Sequence, residues 1–226
     1  MSSYDAQFMN DFENEILAAA TLDADIDRPI RLENGCKNLQ LLAQDENLIR
    51  LTDCKPWTRG GAESFVASGV LAVRTGNGRE IERQIILKAY VGFGYSPEKR
   101  VETWRERSEV LASHGIPVSR VYSVSKGVLF TQFIKWSLLE FLELTSVDSA
   151  TWASNLGRVV DALDDLRVHP VSLLPDLRTD GSVIYIVDFG EDLGEIPGTE
   201  EENGFCRFLV HNELVRYGFE DLATLL

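Results

Sequence analysis

The chain has 226 residues and carries 22 Lys and Arg against 36 Asp and Glu, a formal net charge of −14 at pH 7. A hydrophobic fraction of 44% with 26% charged residues is globular composition and excludes disorder along most of the chain. The acid excess argues against nucleic-acid binding, which needs clustered Lys and Arg, and no apolar run approaches the ~20 residues of a membrane span.

In chain order, Phe8, Phe12 and Ile16, with Met9 and Leu17 beside them, recur at helical spacing, and Asp5 can cap that helix. Residues 21 to 46 are mixed and polar, with Pro29 and Gly35 as breakers, and read as a connecting segment with one short element. From Leu48 the pattern becomes strands: LIRLTD, the loop WTRGGAES, FVASGVLAVR, the turn TGNG and IILKAY predict an antiparallel meander. SPEKRVETWRERSEVLASHG predicts a helix with Ser96 as cap, Pro97 at its first position and Gly115 at its end. Two strands follow, SRVYSV and VLFTQFI. Beyond Ile134 the helical period returns in WSLLEFLEL, in TWASNLGRVVDALDDL behind a capping Asp148, and from Phe205 to Leu226, with the strand VIYIVD near residues 183 to 188. This order predicts an α+β fold in three segments: an N-terminal helical extension over 1–45, a sheet lobe over 46–134 and a small helical lobe over 135–226. The extension either covers the sheet or mediates a homodimer.

The first residues are acidic and lack the basic-then-apolar pattern of a signal peptide. Cys36, Cys54 and Cys206 are odd in number and widely spaced, so neither a disulfide framework nor a zinc site is indicated. Together these point to a reducing, cytoplasmic setting. His114 precedes the helix-ending Gly115 and suits a helix C-terminus, while His211 has no evident partner. No Gly-x-Ser-x-Gly elbow is present to support hydrolase chemistry.

Lys88 stands inside the apolar strand IILKAY, where it is either solvated along its stem or held for an anion. The following helix offers Glu102, Glu106 and Glu109 on one face, either as a solvated surface or as a partner for that lysine. Asp188 follows the apolar run VIYIV and precedes Phe189 and Gly190, so its carboxylate must be solvated, paired or metal-bound. A Gly loop, a strand lysine, a Glu-bearing helix, two strands, helices and then VDFG occur in the order of kinase-type phosphoryl transfer.

On these residues the chain resembles the protein-kinase-like superfamily, and within it the aminoglycoside phosphotransferase type of small-molecule kinase. The resemblance covers about residues 48 to 192, best in RERSEVLASHGIPVSRVYSVSKGVLFTQFI and in IYIVDFGEDLG. It implies a two-lobed kinase-like fold: an antiparallel five-stranded sheet with one crossing helix, and a small, mainly helical second lobe. It further implies that Lys88 meets the phosphates of ATP, that Glu106 or else Glu102 holds that lysine, and that Asp188 binds Mg2+. Gly60 and Gly61 would let backbone amides approach the phosphates, and Gln132 to Lys135, with Ile134, would form the adenine-binding hinge.

The catalytic loop departs from the family's His-Gly-Asp-x-His-Pro-x-Asn. In DDLRVHPVS, aligning His169 and Pro170 puts Arg167 at the base and Ser172 at the second metal ligand. Arg cannot act as a base at neutral pH, and Ser is a poor magnesium ligand. Asp165 or Asp176 would have to serve as base, and His169 is expected to shape the loop. Two functions follow from the resemblance: an ATP-dependent phosphotransferase acting on a hydroxyl of a small-molecule or protein acceptor, or an inactive pseudokinase acting through protein contacts.

Overall fold

Apolar runs bounded by the turn TGNG fill 64–90, and the β-branched and aromatic residues there favour the pleated conformation. In the computed structural model, which describes residues 12–20, 26–56, 64–90, 96–125, 127–190, 193–198 and 204–226, these stretches form strands. The chain divides into two compact units, one of residues 1–103 and 120–133, the other of residues 104–119 and 134–226. The fold is α+β.

The first unit holds β1 (Asn47–Pro56), β2 (Ser64–Arg74), β3 (Glu80–Tyr90), β4 (Val121–Ser125) and β5 (Val128–Gln132) in one antiparallel sheet of order β1-β2-β3-β5-β4. The β2–β3 turn closes through Gly78 N donating to Thr75 O at 2.8 Å, and Gly78 has a φ of +82°, which only glycine adopts without strain. Edge strand β1 loses register after Leu48 and again after Thr52, and Asp53 there has a φ of +52°. Such bulges blunt an exposed edge.

Register assigns the two faces. Leu87 lies opposite Ala67 and Phe130, whereas Lys88 lies opposite Val66 and Leu129. Opposed residues share a face and successive ones alternate. The Leu87 face, with Ile85, Leu71 and Val128, packs against Phe12 and Ile16 of α1 (residues 12–18) and against Cys36, Leu39 and Leu41 in and after α2 (Arg28–Asn38). Phe12 meets Phe130 edge to face, ring centroids 5.9 Å apart. A Cβ on Gly69 would stand 2.8 Å from the Phe12 ring, and one on Gly35 would stand 2.0 Å from the Ile16 carbonyl oxygen. Arg83 secures the end of this cover: it bonds both oxygens of Glu46, at 2.7 and 2.9 Å, and donates to the Leu41 carbonyl. The extension is therefore a layer of the sheet's own core. Residues 1–11, with Asp5, Phe8 and Met9, lie outside the described residues.

Helix α3 (Pro97–Ser113) starts where Ser96 Oγ accepts from Lys99 N at 3.3 Å and ends before Gly115, φ +76°. Its residues through Thr103 belong to the first unit and those from Trp104 to the second.

The second unit contains β6 (Trp136–Ser137), α4 (Leu138–Leu144), α5 (Ser149–Asp165), a 3-10 turn (Leu174–Asp176), β7 (Leu177–Thr179), β8 (Ile184–Ile186), α6 (Phe205–Arg216) and α7 (Glu220–Leu225). Ser137 and Asp148 cap α4 and α5, accepting from Glu140 N at 3.1 Å and Thr151 N at 3.3 Å. Trp152, Leu156, Val159, Val160 and Leu163 give α5 its buried face. Two features differ from the sequence reading. A three-stranded sheet, β6-β7-β8, forms: β8 falls within the expected strand VIYIVD, whereas β6 and β7, of two and three residues, are too short to show a period. The single helix expected from Phe205 to Leu226 breaks at Gly218, φ +85°.

Candidate functional site

Lys88 sits in β3 with neighbours on both sides, and only 8% of its surface is exposed. That removes the reading of a solvated strand lysine, because burying an ammonium costs several kcal/mol unless anionic or polar groups meet it. It lies on the face away from α1 and α2, together with Ile86, Ser68 and Thr131. Ser68 is 1% exposed, and its hydroxyl has no hydrogen-bond partner among the described residues. Buried polar atoms seldom stay unsatisfied, so this orphan marks the Lys88 face as polar and incomplete.

The other expected nucleotide contacts are spread unevenly. Gly60 and Gly61 lie outside the described residues. Gln132, at the end of β5, donates its backbone N–H to Arg120 O at 2.8 Å. The carbonyls of Ile134 and Lys135 accept from the Arg178 guanidinium at 2.7 and 2.9 Å, which fixes the backbone just after the sheet lobe. Of the α3 acids, Glu102 is half-buried in the first unit, while Glu106 and Glu109 are exposed and belong to the second. Glu109 bonds Arg105 at 2.7 Å, one helical turn away.

In the second unit, Asp188 does not end a buried strand as the apolar run suggested. β8 stops at Ile186, and Asp188 is a half-buried residue of the following loop. Its pairing with β7 ends at Ile186, which also exchanges backbone hydrogen bonds with Pro117 and Ser119 on its other side. The loop is nonetheless fixed. Gly190 N donates to Asp188 Oδ1 at 3.1 Å, fully buried Phe189 meets the Trp104 ring edge-on at 5.7 Å, and Arg107 Nη1 donates to the Phe189 carbonyl at 2.8 Å and to that of Gly190.

The DDLRVHPVS segment is built around other contacts than a kinase loop would need. Asp165 is the last residue of α5 and exposed, and the chain reverses at Arg167, φ +55°. Asp176 ends the 3-10 turn, its carbonyl accepting from Val187 N at 3.1 Å. Ser172, the expected metal ligand, gives its hydroxyl to Glu213 Oε1 at 2.5 Å, and Glu213 also accepts from the Leu173 and Leu174 amides. His169 stacks on Phe205, centroids 4.5 Å apart and planes 21° from parallel. Gly198 lies against the turn: its N–H donates to Leu166 O at 2.9 Å, and a Cβ there would fall 1.6 Å from the Arg167 carbonyl oxygen. His114 Nδ1 lies 2.9 Å from Val110 O at the end of α3, the helix-terminal role its position suggested.

Three residues in these contacts gave no sequence signal. Glu213 is buried, and Asp164 accepts from Cys206 N at 2.7 Å and Arg207 N at 3.3 Å. Asp164 thereby caps α6, whose own N-cap is the side-chain-free Gly204. Arg107 is the third, in no motif of its own. Among the described residues no three His, Cys, Asp or Glu side chains gather as a metal cluster. Burial pushes the Cys36 thiol up to about 12 and the Cys54 thiol up to about 11, and raises Cys206 further, so none is a nucleophile at neutral pH.

No protein-family model matches the chain, and no curated protein matches its sequence.

Proposed function

We propose that this chain is a kinase-like protein of the ATP-dependent phosphotransferase type, binding a nucleotide through Lys88 and magnesium through Asp188. The observation that carries the reading is the burial of Lys88 in β3, on a sheet face that also holds the orphaned Ser68 hydroxyl. A nucleotide phosphate suits such an ammonium, supplying both charge and acceptor oxygens. The order of elements supports the reading as well: a lysine strand, a helix, two strands, helices, and an Asp-Phe-Gly loop after a short hairpin. Asp188 fits magnesium, which binds through one or two carboxylates plus phosphate oxygens. Ser172 fits it poorly, since its hydroxyl already donates to Glu213. Bound magnesium would neutralise charge on the phosphates during transfer to an acceptor hydroxyl.

A second reading, a catalytically inactive pseudokinase that binds nucleotide weakly or not at all and acts as a regulatory or protein-interaction module, is favoured by one specific feature. The resemblance aligns Arg167 with the family's base, and in the structure the Gly198 backbone lies against the Arg167 carbonyl. The nearest acid, Asp165, is held on the last turn of α5.

Thermal unfolding with ATP, with and without magnesium, tests the phosphotransferase reading. A ligand at 100 times its dissociation constant stabilises by about 2.7 kcal/mol. Lys88→Ala is expected to weaken the shift under both conditions, and Asp188→Ala to remove only its magnesium-dependent part. No shift with any nucleotide overturns the phosphotransferase reading and leaves the pseudokinase. Turnover assayed in Asp165→Asn then separates the phosphotransferase from the pseudokinase.

A further inference from the structure

We propose that Arg107 is the positioning residue for Asp188: from α3 it holds the backbone that aims the Asp188 carboxylate, and so sets magnesium affinity. The assignment rests on the nucleotide reading above and extends it to a residue that touches neither metal nor phosphate.

The geometry is specific. One guanidinium nitrogen, Nη1, donates to two successive carbonyls, Phe189 at 2.8 Å and Gly190. Bonds from a charged donor are about twice as strong as neutral ones. Trp104 stands three residues before Arg107, on the same side of the helix, and packs its ring against Phe189. Gly190 N in turn bonds Asp188 Oδ1 at 3.1 Å. The carbonyl that Arg107 grips belongs to the same glycine whose amide orients the carboxylate. Moving Gly190 therefore turns Asp188.

A helix surface residue has no packing need to reach two loop carbonyls, and a loop held only by the Phe189 ring would retain freedom about its backbone. Magnesium demands near-octahedral geometry with ligands at about 2.0–2.1 Å, so metal affinity falls steeply when a carboxylate is misdirected. Residues that orient metal ligands typically contribute 10- to 100-fold in metal affinity. Nucleotide affinity without metal depends on Lys88 instead and is expected to be insensitive to Arg107.

The experiment titrates magnesium chloride at fixed ATP and reads the midpoint of the stabilisation in the full chain, alongside ATP alone. Arg107→Met is expected to raise the magnesium midpoint roughly 10- to 100-fold and leave the metal-free ATP shift unchanged. Arg107→Lys is expected to recover most of the affinity, since a single nitrogen makes both bonds. A merely structural role would lower stability without moving the midpoint, and an unchanged midpoint in Arg107→Met overturns the assignment. If that variant does not fold, Arg107→Gln replaces it with the same two outcomes. A chain with native Arg107 that shows no magnesium-dependent shift overturns magnesium binding at Asp188 and this assignment with it, while the shift with ATP alone tests the nucleotide part separately. A normal shift there with an unmoved variant midpoint overturns the assignment alone.

Discussion

Glu213 accepts the Ser172 hydroxyl at 2.5 Å, joining the middle of α6 to the loop where a kinase would place its second metal ligand. The same carboxylate accepts the amides of Leu173 and Leu174, at 3.2 and 2.9 Å. Three donors converge on one buried acid, so removing an acceptor oxygen strands at least one of them. Leaving a buried donor unsatisfied costs about 1–3 kcal/mol. Glu213→Gln, which keeps the volume but turns one oxygen into an NH2 group, is expected to lose that much stability in urea unfolding. An unchanged midpoint would show that the loop does not depend on this acid.

Phe12 gives a test of the N-terminal layer. Its ring is buried between Gly69 of β2 and Phe130 of β5. Phe12→Ala opens a cavity in the sheet core, and such truncations cost about 3–5 kcal/mol. Thermal unfolding of the variant measures it. A loss below 1 kcal/mol would mean that the extension contributes little to the sheet lobe.

Asp180, in the turn between β7 and β8, supplies a pH dependence. Burial raises its carboxyl, but that effect is outweighed by the amides of Val183 and Ser182 and by the hydroxyls of Ser182 and Tyr185, and the group settles at about 2 against an ordinary 3.8. The unfolded chain then binds a proton at a higher pH than the folded one. The stabilisation is complete above about pH 4 and is lost as the pH falls through 2. The melting-temperature gap between the native chain and Asp180→Asn should therefore narrow from pH 6 to pH 2. A gap that stays constant would refute the charged hydrogen-bonded turn.

Much of the fold was legible in the residues because local rules governed it. The meander showed in its apolar runs and in the TGNG turn; α3 and α5 showed in their caps, Ser96 and Asp148, and in their apolar spacing. What only the tertiary structure decided came from contacts between residues distant in sequence. β6 and β7 exist through pairing, since two or three residues carry no period of their own, whereas β8 showed in the apolar run VIYIV. Asp188 lies beyond its expected strand, because the pairing with β7 ends at Ile186. Lys88 was a strand lysine of undecided exposure until the register set it in an interior strand, on the face opposite the α1 and α2 layer. Glu213, Asp164 and Arg107 drew no expectation from the sequence, because a side chain's distant partner is not written in its neighbours. Composition and periodicity fix which residues need burial; only the folded chain brings the particular donors and acceptors together.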